Sequence, residues 1–285
     1  ALPICRNIDY RPIVLIVVDA ARYDVFAEQV IDELRGSSEG KKLVSHISSN
    51  NSTYSICSVT YCGILGILTS QNWMGLAREG PLLHDYLYSI GYDVSFLLSG
   101  DHTQYHGLRT MFGKNIDFYL DGKSFLGSPN NDEEIIKKFK SFEIKKNSFI
   151  YIHLMSMHAG GVLKREYKNT KNTTVDAVGE PPEINAYNVR YTNAAHQVGS
   201  YIRDIFSILE SQNALKSSLV VITSDHGEFL GDHGLLHKGP PPYRQLLQVP
   251  LLISGPGIPQ LETDALTSHL DLKPTLIELL GLQGA

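Results

Sequence analysis

Ser218-Leu-Val-Val-Ile-Thr-Ser-Asp225-His226-Gly-Glu228 is the stretch whose reading decides the fold. Leu219 to Thr223 is an apolar, β-branched run of strand length, the composition of a strand buried on both faces of a parallel sheet. Asp225 and His226 stand at its carboxyl end, where open α/β sheets place their ligands. A carboxylate and an imidazole are both competent metal ligands, and Asp232, His233 and His237 follow closely. The stretch therefore predicts a metal site.

Outward from that strand the same arrangement recurs. Arg11-Pro12 leads into Ile13-Val-Leu-Ile-Val-Val18, a second central strand with Asp19 at its carboxyl end. Position alone leaves Asp19 either as the N-cap of a helix running through about Leu34 or as a ligand. Residues 91–98 read as a strand ending at Gly100-Asp101-His102, where Asp101, His102 and His106 are substrate-pocket residues or loop caps. Residues 148–154 read as a strand entering Met155-Ser-Met-His158, and residues 248–254 as another. Helical patterns fall from Thr60 through Leu68, then at residues 81–89, 132–145, 188–209 and 271–280. Residues 48–55, rich in Ser and Asn, read as a loop.

Alternating strands and helices predict an α/β fold, with a mostly parallel central sheet and helices on both faces. Residues 1–285 are expected to form one domain. The polar residues 162–182 are expected to be a surface excursion or lid over the site.

Composition narrows the function. With 42% hydrophobic and 19% charged residues the chain is an ordinary globular one, and a net charge of −5 offers nothing to nucleic acid. No apolar run reaches the roughly 18 residues of a membrane span. Compartment and oligomeric state stay open, an extracytoplasmic protein or one tethered through a preceding segment included. Cys5, Cys57 and Cys62 are too few for a disulfide framework. Ordinary thiols at Cys57 and Cys62 are favoured over a bridge between them.

Asp19, His158, Asp225, His226 and His237 all follow predicted strands, so they converge on one sheet edge. Their oxygen and imidazole donors suit zinc or manganese, with calcium or magnesium if oxygens dominate. Thr60 falls at the first turn of its helix, where outward N–H groups favour an anion. Ser58 or Thr60 as a plain cap is the alternative.

Asp225-His226-Gly-Glu228-Phe-Leu-Gly-Asp-His-Gly, with Lys238-Gly-Pro-Pro-Pro-Tyr and Val249-Pro-Leu-Leu-Ile, resembles the sulfatase-type hydrolases of the alkaline phosphatase superfamily. Val-Val-Asp19-Ala-Ala-Arg22 and Leu272-Lys-Pro-Thr-Leu-Ile-Glu-Leu-Leu-Gly resemble the first strand and a late helix of that domain. The resemblance runs from about Arg11 to Leu282. It implies Asp19, Asp225 and His226 as ligands of a first divalent metal. It also implies a nucleophile about ten residues before the end of Leu68-Thr69-Ser70, which selects Thr60, with its hydroxyl bound to the metal as a further ligand.

One departure matters. Sulfatases of this type carry Cys-x-Pro-x-Arg, whose Cys becomes formylglycine, whereas this chain has Cys57-Ser-Val-Thr60-Tyr. A Thr nucleophile is similar instead to the phosphatase, phosphodiesterase and phosphoethanolamine or lipoteichoic transferase branches. His153-Leu-Met-Ser-Met-His158-Ala-Gly resembles the transferases' His-x-x-x-Ser-His-Gly-Pro, with His158 in the functional place and His237 near a further site histidine. These two would hold a second metal or meet the substrate, and Lys238 would contact its anionic oxygens. Asp232 and His233 are expected to order their loop or to support the metal ligands from behind.

The resemblance thus implies a metal-dependent hydrolase or transferase acting on a phosphate or sulfate ester through a covalent Thr60 intermediate. The substrate would be a small-molecule, lipid or glycan ester. The alternatives are a true sulfatase with an unusual activating motif, and a non-catalytic anion-binding member.

Overall fold

A computed structural model describes residues 8–36, 48–71, 81–168 and 182–282. Strand β1 (Ile13–Val18) lies at the centre of the fold, and every one of its side chains is fully buried. A continuous helix, α1, follows: Tyr23–Val25, a π-type stretch at Phe26–Val30, and Ile31–Arg35. Then come β2 (Ser48–Tyr54), α2 (Thr60–Thr69), α3 (Leu83–Ser89), β3 (Asp93–Leu98), β4 (Phe118–Leu120), α4 (Asp132–Lys140) and β5 (Ser148–Leu154). The long helix α5 (Pro182–Ser211) precedes β6 (Leu219–Thr223) and a small hairpin, β7 (Phe229–Leu230) with β8 (Leu236–His237). Strands β9 (Gln248–Ser254), β10 (Glu262–Thr263) and β11 (Thr267–Ser268) and helix α6 (His269–Leu279) complete the chain.

Among the described residues nine strands form one sheet, in the order β10-β2-β9-β6-β1-β5-β3-β4, with β11 also on β2. Strands β6, β1, β5, β3 and β4 are mutually parallel, and β9 runs antiparallel to both β6 and β2. The expected mostly parallel sheet is present.

Period-two alternation sorts β1 onto two cores. Val14, Ile16 and Val18 meet α1, α4 and α5, while Ile13, Leu15 and Val17 meet α2, α3 and α6. Helices therefore cover both faces. Asp19 continues the odd-numbered row, so its side chain falls on the α2 face. By the same parity His153 of β5 shares the face of Phe149 and Tyr151.

Four expectations change. Residues 48–54 form a strand rather than a loop, because pairing with β9 outweighs the poor strand propensity of Ser and Asn. The helix expected to 145 ends at Lys140, where Ser141 leaves helical geometry and its hydroxyl turns back to the Lys138 carbonyl (2.9 Å). Asp19 caps nothing: α1 starts at Tyr23 with no side-chain cap. Cys57 and Cys62 are paired, their Cα atoms 5.8 Å apart, instead of standing as two thiols. Of the excursion expected at 162–182, residues 169–181 lie outside the described residues. Its start includes a short helix, Arg165–Lys168.

Candidate active site

Strands β1, β5 and β6 run parallel, so their carboxyl ends deliver Asp19, Met155–His158 and Ser224–His226 to one edge. Two backbone N–H groups lock the first and last of these loops together. Ala20, in the left-handed region at φ 60, donates to Asp225 Oδ1 (3.0 Å), and Ala21 donates to Ser224 Oγ (2.9 Å). A non-glycine residue there carries backbone strain of the kind that clusters at functional sites.

Helix α2 reaches the same edge from the odd-numbered face. Ser55 Oγ donates to the Asp225 carbonyl (2.5 Å), and Gly63 packs against that carbonyl so closely that a Cβ would collide with it. Gly63→Ala is expected to cost about 1–3 kcal/mol by overpacking and to displace the Asp225 loop. A lowered melting temperature together with weakened metal binding would show it; unchanged metal affinity would contradict it. Neither Ser58 nor Thr60 caps α2, whose N-cap is Val59 without a side-chain bond. Thr60 is the first helical residue instead.

The Thr60 hydroxyl sits among three charged or basic groups. Lys238 Nζ donates to Oγ1 at 2.7 Å, while Asp19 Oδ2 and His226 Nε2 each lie 3.1 Å away. Lys238 Nζ is also 3.2 Å from His226 Nε2. Hydrogen bonding assigns the histidine tautomers. The His226 Nδ1 hydrogen goes to the Gly227 carbonyl (2.6 Å), which leaves the Nε2 lone pair facing Thr60. In the same way His153 donates from Nδ1 to Ser99 O (3.3 Å) and presents Nε2, 3.8 Å from Asp19 Oδ2.

Three fully buried atoms of the site find no hydrogen-bond partner among the described residues: Asp19 Oδ1, Asp225 Oδ2 and His153 Nε2. Asp19, His153 and Asp225 each offer a ligand atom within 4.8 Å of the others. His226 Nε2 is 3.6 Å from Asp225 Oδ2 and 4.0 Å from Asp19 Oδ1. Orphaned buried carboxylate and imidazole atoms converging on one point fit a dication, which would satisfy them together.

The electrostatics agree. Burial, and then the neighbouring Asp19, push the Asp225 carboxyl well above its ordinary value. Burial alone would raise Asp19 as well, but Lys238 and then His158 outweigh it, and Asp19 is held down. One carboxylate is therefore ionised at the other's expense, a frustration that a bound cation removes. Burial lowers His226 to about 3, with Lys238 adding to it, and lowers His153 to about 3. Lys238 is raised: burial opposes its charge, and Asp19 and Asp225 more than compensate.

A second group stands beside the first. The His158 and His237 rings are 5.3 Å apart and edge to face. His237, on β8 and in the left-handed region at φ 67, contacts Glu228 Oε1 through Nδ1 (2.9 Å). Asp232 pairs with Arg22 at 2.5 Å and His233 stacks on Tyr243, as expected of residues that order a loop. Asp101 accepts the Gln104 N–H (3.0 Å), a loop cap; His102 is buried against His153 and His106 is exposed.

A family model described as Sulfatase matches residues 11–282. The chain belongs to the sulfatase family. This family member is 37% identical over 97 residues to the low-salt glycan biosynthesis sulfotransferase Agl7 of Haloferax volcanii, 32% of this chain and 24% of that protein. It spans a minor part, 14 to 24%, of the length of such curated relatives. Among solved structures, the C-terminal periplasmic domain of EcEptC from Escherichia coli, in complex with Zn, matches with a TM-score of 0.80. Identity is 18%, over 96% of this chain and 83% of that one. The phosphonate monoester hydrolase SpPMH from Silicibacter pomeroyi matches with a TM-score of 0.73 at 18% identity, over 95% of this chain and 73% of that one. The fold is thus that of the alkaline phosphatase superfamily.

Sequence reasoning on this family member missed His153, Glu228 and His269. His153 interrupts the otherwise apolar Phe-Ile-Tyr-Ile run of β5, and a polar side chain buried in a central strand needs a partner. That was the available signal. His269 supports the site from behind, donating from Nε2 to the Ser224 carbonyl (2.9 Å).

Burial lowers His269 from 6.5 to about 4. A histidine lowered by folding supports the fold above its unfolded value, and that support is lost as pH falls from 6.5 towards 4. The shift corresponds to about 3 kcal/mol. His269→Gln is expected to flatten the decline of urea stability across that acid window. An undiminished slope would assign the decline to other groups.

Proposed function

We propose that this chain is a metal-dependent hydrolase or transferase that moves a phosphoryl-type or sulfuryl group from an ester by way of Thr60. The observation that carries the reading is the Thr60 hydroxyl, buried at the start of α2 and held by Lys238, Asp19 and His226 together. Asp19, Asp225 and His226, joined by His153, would hold a divalent metal, zinc or manganese by ligand type. When bound, the metal supplies Lewis-acid charge beside the nucleophile.

The chain's own groups do the rest. Asp19 Oδ2 is the acceptor placed for the Thr60 proton, and the Lys238 ammonium stabilises the oxygen left behind. Thr60 Oγ1 bonds to phosphorus or sulfur as the ester's leaving oxygen departs, and Lys238 Nζ is placed to give that oxygen a proton. His158 accepts the Gly160 N–H at Nδ1 (3.1 Å), so its own proton is on Nε2 and it serves as a neutral donor to the transferring group. Burial lowers its pKa and keeps it neutral.

The Cys57–Cys62 pair supports Thr60 over a formylglycine, because a bridged Cys57 has no thiol to convert. The test is mass spectrometry after brief incubation with p-nitrophenyl phosphate or p-nitrophenyl sulfate and zinc. A phosphoryl or sulfuryl adduct on Thr60 is expected. Turnover without an adduct there, or a formylglycine mass at position 57, would refute the reading.

A further inference from the structure

Glu228 belongs to none of the roles assigned so far. Its carboxylate is fully buried beside His237, and among the described residues it forms no ion pair with a lysine or arginine. Oε1 accepts the Tyr187 hydroxyl at 2.6 Å and meets His237 Nδ1 at 2.9 Å, and Oε2 has no hydrogen-bond partner among the described residues. A buried carboxylate on a two-residue strand's edge costs stability without a compensating duty. Tyr187 reaches it from α5, so the long helix and the small β7–β8 hairpin are joined at this one oxygen.

We propose that Glu228, seated by Tyr187, is the positioning residue that fixes His237 as the hydrogen-bond acceptor of the site. Glu228 Oε1 accepts the Tyr187 hydroxyl and faces His237 Nδ1 as an acceptor, so His237 donates its Nδ1 hydrogen to Glu228 and presents its Nε2 lone pair to the cleft. His158 has the opposite tautomer, because the Gly160 N–H occupies its Nδ1. Two histidines with rings 5.3 Å apart thus offer one donor and one acceptor to the same space. Such a pair matches two different partners: an anionic ester oxygen at His158 and an incoming hydroxyl at His237.

The inference rests on the Thr60 reading for its place in the reaction. In the second half, the hydroxyl oxygen of water or an alcohol bonds to the transferring phosphorus while the bond to Thr60 Oγ1 breaks. The hydroxyl proton passes to His237 Nε2, and Thr60 Oγ1 recovers from Asp19 Oδ2 the proton it gave up in the first half; exchange of one proton with solvent, off His237 and onto Lys238, restores both. Charge and atoms balance with no further reactant. Glu228 touches neither substrate nor metal; it acts through the orientation of the His237 ring.

Two measurements test this. Long-range proton–nitrogen NMR spectra of the imidazoles, on the whole chain, report each tautomer without any substrate. His237 is expected as the Nδ1–H form in the parent protein, and as the Nε2–H form in Glu228→Leu with His226 unchanged. An Nε2–H His237 in the parent, or a tautomer indifferent to Glu228→Leu, would overturn the proposal. Rapid quench with p-nitrophenyl phosphate supplies the second readout. Glu228→Gln, which keeps shape and a weaker acceptor in case the Leu variant does not fold, is expected to retain the burst of Thr60 adduct. Its steady-state turnover should fall about 10- to 100-fold. Equal loss of burst and turnover, or no loss, would overturn it. If the parent shows no adduct, the Thr60 reading fails, while the tautomer result still decides what Glu228 does.

Discussion

Thr60→Ala is expected to lower turnover by at least about 10⁴-fold, the scale seen when a nucleophile is removed from a preorganised site. The fold should survive. The substitution removes one hydroxyl and one methyl from a buried helix start, and Lys238 keeps His226 Nε2 at 3.2 Å as a partner. Circular dichroism and metal titration should therefore match the parent while product formation stops. Thr60→Ser restores the hydroxyl and should restore part of the rate. Full activity in the Ala variant would eliminate Thr60 as nucleophile, leaving Ser58 as the nearest alternative hydroxyl in the loop.

Asp225→Asn should have the second large effect, and its sign depends on the metal. Without metal, Asp225 is a buried carboxyl raised by burial and by Asp19. A group raised by folding supports the fold at low pH and loses that support as pH climbs through its folded value. The neutral amide should consequently leave the metal-free protein at least as stable as the parent, with the gain growing as pH rises. Its carbonyl oxygen can still accept the Ala20 and His226 N–H groups that Asp225 Oδ1 accepts now. With metal the order reverses, since a ligand at a hundred times its Kd stabilises the folded state by about 2.7 kcal/mol. Thermal melts in zinc and in chelator should show a large metal-dependent rise for the parent and little for Asp225→Asn. Equal rises in both proteins would remove Asp225 from the metal site.

Much of this site was readable because its residues obey local rules. Asp19 and Asp225 follow uninterrupted apolar strands, so their places at the carboxyl edge were predictable from the runs themselves. Thr60 precedes a helical pattern with small residues at 63 and 66, which placed it at a helix start. The loop–helix packing explains that pattern: Gly63 meets the Asp225 carbonyl and Gly66 meets Ile56. Other features have no local signature. Ser48–Tyr54 is a strand only because β9 lies beside it, and the pairing of Cys57 with Cys62 depends on how the chain curves between them. His153 looked like part of a motif aimed at His158, whereas its own side chain faces Asp19.

The chain by itself determined the alternation of strands and helices, the family, and the residues that arrive at one sheet edge. Hydrophobic period and strand-end position are local properties, legible one segment at a time. Tertiary structure alone decided which of those residues meet. Neighbouring of β1, β5 and β6 puts His153 beside Asp19 and Asp225, and the β7–β8 hairpin brings Lys238 back onto Thr60. It also decided the proton on each imidazole. A histidine's tautomer follows from the carbonyl, amide or carboxylate set against its ring, and folding alone brings those partners there.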